Sequence, residues 1–218
     1  MLAALLATVL TATAAGSVNS TDAARPGFQG HAEPIRGQVR ERIVGSSWHR
    51  GCPVALSKLR LVEVTYRGFD RDRHRGRLVV HRTQSEAIMD VMRRLYRIDY
   101  PIRRMELVDR YGADDHRSMA ADNTSAFNCR FVAGTQRWSM LAYGLAIDLN
   151  PVENPYVSGA HVSPPQGEPY ADRSRHARGM IHAGDAVVKA FKRRASWEWL
   201  GDGSRSYRDY QHFSADGS

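Results

Sequence analysis

The chain has 218 residues, 42% of them hydrophobic and 25% charged. That suffices for one domain with a real core. Beyond the N-terminus no segment approaches the roughly 20 apolar residues that span a bilayer, which excludes stable membrane insertion by a helix of the folded part. The formal charge is +8, yet neither an internal repeat nor a nucleic-acid-binding motif accompanies it, so nucleic acid is not an expected partner.

The first residues read MLAALLATVLTATAAGSVNSTDAA. An apolar run from Leu2 to Leu10, followed by Ala12-Thr13-Ala14, is the pattern of a secretory signal peptide with a small-residue cleavage site. Residues 1–25 are assigned to it. Residues 26–47, rich in Gly, Ser, Pro and charge, read as a linker with a short helix at GQVRERIVG, and a single folded domain is expected over 48–218. Leu59–Phe69 alternates branched and polar residues as a strand does, and Gly76–His81 is a second strand, so the basic RDRHRGR stretch becomes a hairpin loop. Thr83 with Glu86 forms a capping box. Ile88, Val91, Met92, Leu95 and Tyr96 then follow helical spacing. A strand is expected at Ile102–Val108.

The polar stretch YGADDHRSMAADNTSAFNC is too long for a neutral connection and is a candidate functional loop. AFNCRFVAG and LAIDLN read as strands, 151–179 as a Pro/Gly-rich loop, GDAVVKAFKRRA as a helix capped by Asp185, and YRDYQHFS as a last strand. Strands and helices mix without strict alternation. The fold class is therefore α+β, an antiparallel sheet with flanking helices. Cys52 and Cys129 are the two cysteines. In an oxidising compartment one disulfide between them is the economical reading, with two buried free thiols as the alternative.

Several strings carry a resemblance. Ser139-x-Leu141-x-x-Gly144-x-Ala146-x-Asp148, the later Asp209-x-x-His212, and the flanks RSMAADNTSAFNCR, AYGLAIDLNPVENPYV and DYQHFS resemble the VanY-like zinc D-alanyl-D-alanine carboxypeptidases and L-alanyl-D-glutamate endopeptidases, secreted bacterial peptidases of peptidoglycan. The resemblance spans about 48–216. It implies a Hedgehog/DD-peptidase-like single domain, zinc as cofactor, peptidoglycan peptides as substrates, a monomer, and a secreted or cell-wall-associated location. Cell-wall carboxylates would attract a basic surface, although positive charge also serves plain solubility.

It also implies residue roles. Asp148 and His212 are metal ligands, Asp209 is the general base on a zinc-bound water, Arg130 stabilises the oxyanion or holds a substrate carboxylate, and Ser139 and Tyr143 contact substrate. Taken singly, an Asp at a strand end, a His near the C-terminus and an Arg are commonly plain structural or solvated residues.

The pattern also breaks. Leu141 stands where the family has a ligand His, and an isobutyl group offers no lone pair. In WEWLGDGSRS, Leu200 and Gly203 replace an expected Gly and Trp. The expected activity is stem-peptide hydrolysis by a zinc-activated water, impaired by the lost ligand. The alternatives are a non-catalytic wall-binding relative, an altered scaffold with an apolar pocket in place of the zinc site, or rescue by another His, with His161 and His182 as candidates.

Overall fold

Branched residues on both faces of one hairpin organise the longest strands. The computed structural model describes residues 27–202 and 206–217; the expected signal peptide over 1–25, and Gly203, lie outside them. β1 (Gly30–Pro34) leads into α1 (Gly37–Ile43), and β1 pairs antiparallel with β2 (Leu59–Arg67), which pairs with β3 (Arg73–His81). Period-2 alternation sends Val62, Val64, Leu78 and Val80 to one side and Leu59, Leu61 and Val79 to the other. The first set packs on α2 (Ser85–Arg97) through Ile88, Val91, Met92 and Leu95. The second meets Ile43, Phe127 and Cys129.

α1 falls at the helix expected in GQVRERIVG, and β1 adds a strand where 26–47 was expected to be linker. β1 is an edge strand with mostly exposed residues, so its composition is polar although all five residues are in register with β2. Two expected caps do not form. Thr83 pairs its hydroxyl with His81 Nδ1 at 2.8 Å, and the helix starts after Gln84 with no side-chain cap. Asp185 accepts from the His182 amide at 2.7 Å rather than from the helix it precedes.

The expected strand over Ile102–Val108 shrinks to β4 (Arg104–Met105), because a 3₁₀ turn follows at Val108–Tyr111. The long polar stretch holds α3 (Asp115–Ala120), capped by Asp114, and β5 (Asn123–Thr124), parallel to β4. AFNCRFVAG is not a strand. Three successive amides find unrelated partners: Phe127 donates to Val79, Asn128 to Leu141 and Cys129 to Ser47. The Cys52–Cys129 disulfide pins the same segment.

After a 3₁₀ turn at Met140–Tyr143 come β6 (Ala146–Asp148), β7 (Tyr156–Ser158), β8 (His161–Ser163), α4 (Ala186–Ala195), β9 (Glu198–Trp199), β10 (Tyr207–Asp209) and β11 (His212–Ser214). The single last strand expected at YRDYQHFS is two. β10 joins β7 and β8, while β11 lies between β6 and β9. Phe191 of α4 stacks on Phe213 of β11 at 3.9 Å, a contact worth about 1 kcal/mol beyond its buried area. The architecture is α+β. Among the described residues no helix is long and apolar enough to cross a membrane.

One buried carboxyl makes stability depend on pH. Glu153 is 1% exposed and its Oε2 has no partner, while Oε1 accepts from Arg103 at 3.3 Å. Burial, then the hydrogen bond and negative charge of Asp122, raise its pKa to about 8. The folded state therefore holds a proton that the unfolded chain releases near pH 4.5, and stability falls as pH rises from there to about 8. Glu153→Gln keeps the shape without the charge. It is expected to add on the order of 2 kcal/mol at pH 8 and little at pH 4, read from urea midpoints at both values.

Candidate active site

Strand register brings the first pair together. β6 and β11 are antiparallel with Asp148 opposite His212, and His212 Nδ1 lies 2.6 Å from Asp148 Oδ1. Both residues are buried. Burial works against a charged imidazole, but the charge and hydrogen bond of Asp148 outweigh it and hold the His212 pKa above its ordinary value. The two form an ion pair with each other.

Asp209 ends β10, the neighbouring sheet. The short turn between β10 and β11 therefore sets Asp209 and His212 at the junction of two sheets. Burial pushes the Asp209 carboxyl up to about 6, with His212 pulling down and Asp148 pushing up. Its Oδ1 is sealed and has no hydrogen-bond partner.

These residues line a cleft of about 460 Å³ together with Arg130, Ser139, Leu200 and His161, a size suited to a short peptide. Arg130 Nη2 pairs with Asp115 Oδ2 at 2.8 Å. Burial raises the pKa of the Asp115 carboxyl, and Arg130 draws it back. Ser139 caps the 3₁₀ turn, its hydroxyl accepting from the Leu141 amide at 3.2 Å.

Tyr143, expected to contact substrate, does not line the cleft. Its end of the turn packs toward β3. Gly144 follows at φ +68, where a Cβ would sit 2.6 Å from the His81 amide, and His81 donates to the Gly144 carbonyl. Leu200 is 4% exposed and faces the cleft, and its backbone is not in the left-handed region. Leucine is therefore accommodated there without strain. Of the two candidate rescue histidines, His161 lines the cleft, whereas His182 stacks on His176 at 4.2 Å and does not.

Sequence reasoning missed Asp115, His116, Arg137 and Trp138, all in the cleft wall. The DDH run in the polar loop was the available signal for the first two.

The residues present do not fit a catalytic zinc. Such an ion takes three protein ligands at about 2.0–2.2 Å, so two tetrahedral ligands stand roughly 3.3 Å apart. Asp148 and His212 are closer than that and bond to each other. Leu141, in the expected third position, is 0% exposed and has no donor atom. Among the described residues the places where three His, Cys, Asp or Glu donors converge are His49/Cys52/Cys129, whose thiols are joined, and His31/Glu33/Glu63. Neither includes a cleft residue.

Residues 133–215 match the family model of D-alanyl-D-alanine carboxypeptidase. The match supports a peptidase relationship, and its span contains Leu141, Asp148, Asp209 and His212. No curated protein and no solved structure matches the chain.

Proposed function

We propose that the cleft binds peptidoglycan stem peptides on the frame of a D-alanyl-D-alanine carboxypeptidase, with hydrolysis impaired by the loss of a metal ligand. One observation carries this reading: a fully buried leucine at position 141, beside a motif whose Asp148 and His212 bond to each other. The family match supports the substrate class. Without an activated water, Asp209 has nothing to deprotonate, and its carboxyl joins the polar floor of a binding cleft. The disulfide suits the oxidising compartment where such peptides are found, and the apolar N-terminal sequence supports export. A second reading, a small apolar ligand, draws on Met119, Met140, Trp138 and Leu200 in the cleft wall.

The test is calorimetric titration with a tripeptide ending in D-alanyl-D-alanine, alongside an assay for released D-alanine. Binding that chelator leaves unchanged, with no release, is expected. Release that chelator abolishes and that Leu141→His does not accelerate would refute impairment, and absence of binding would remove the substrate assignment.

A further inference from the structure

Two guanidinium groups line the cleft, and their circumstances differ. Arg130 has partners on both terminal nitrogens. Nη2 pairs with Asp115, Nη1 donates to the Phe131 carbonyl at 3.3 Å, and Nε is buried where no partner reaches it. Arg137 is exposed and lines the same cleft. Among the described residues its side chain has no ion pair or hydrogen bond.

Its backbone, by contrast, is fixed. Residues 131–138 form a short hairpin closed by the Phe131–Trp138 bridge and by the stack of those two rings at 4.0 Å. Val132 donates to the Arg137 carbonyl at 2.8 Å, and the Arg137 amide donates to the Thr135 hydroxyl at 3.2 Å. A rigid base carrying an unpaired fork of N–H donors is suited to a carboxylate, which takes two parallel hydrogen bonds from guanidinium. Holding the base still reduces the ordering cost of binding.

We infer that Arg137, not Arg130, receives the terminal carboxylate of a peptide bound in the cleft. The inference rests on the peptide-binding reading above and names the residue that would select free acids. Arg130 then acts as a positioning residue that holds Asp115 and the start of the hairpin.

The test uses the full chain and two probes, the D-alanyl-D-alanine tripeptide as free acid and as C-terminal amide. The unaltered protein is expected to bind the acid about tenfold more tightly. Arg137→Gln should remove that preference, weakening the acid about tenfold and leaving the amide and the unfolding midpoint unchanged. Equal binding of acid and amide by the unaltered protein would overturn the assignment while leaving the peptide-binding reading intact. So would an acid preference that survives Arg137→Gln or disappears in Arg130→Gln. If neither probe binds, both readings fall.

Discussion

Leu141→His is expected to raise zinc affinity by at least about a hundredfold and to bring D-alanine release from undetectable to measurable. Losing a group that merely supports a ligand already costs about 10–100-fold in affinity, and by the motif resemblance position 141 is that of a direct ligand. Leucine and histidine are close enough in size for the buried site to accept the exchange, but a buried imidazole without partners costs about 1–3 kcal/mol. The variant without metal should therefore unfold at lower urea than the parent, and zinc should reverse the loss. At a thousandfold excess over the dissociation constant, binding adds about 4 kcal/mol. This combination, weaker without zinc and stronger with it, separates a restored site from a merely tolerated substitution. For the ion to seat, Asp148 and His212 must also exchange their mutual 2.6 Å contact for contacts to the metal.

Removing the disulfide should have the largest effect on stability. Cys52 and Cys129 are 77 positions apart, and closing a loop of that length restricts the unfolded chain by about 4 kcal/mol on the chain-entropy model. The bond also anchors a segment that lacks a strand ladder and ends at Arg130, the partner of Asp115. Cys52→Ala with Cys129→Ala is expected to lower the unfolding free energy by about 3–4 kcal/mol in urea titrations. A loss below about 1 kcal/mol would mean that the second core, which includes Cys129, holds the segment without help.

The parts of the fold legible in the sequence were those where one periodicity dominates. The Leu59–Arg67 and Arg73–His81 hairpin and the helix at Ser85–Arg97 each bury a face large enough to dictate composition. β1 was hidden because an edge strand shows its pairing in the backbone and not in its side chains. Residues 126–130 were misread because their apolar side chains reflect burial against the hairpin, while their amides bond to scattered partners. The split of the last strand turns on two residues, Tyr210 and Gln211, which no periodicity registers.

In the site, Asp148, His212, Asp209, Arg130 and Ser139 were picked out by motif resemblance, and the fold gathers them around one cleft. Arg137 and Trp138 escaped notice. Their relevance depends on the hairpin geometry that turns them into the cleft, and a lone arginine in a polar loop carries no such sign. Leu141 worked the other way: its identity alone removed a donor, and burial then showed that the position is packed as core.

The most direct measurement is a calorimetric zinc titration of the unaltered, chelator-dialysed protein, with Leu141→His run beside it. A two-donor pocket whose donors hold each other predicts no high-affinity site in the parent and one equivalent in the variant. One tightly held zinc per parent chain, lost on replacing either Asp148 or His212, would contradict it.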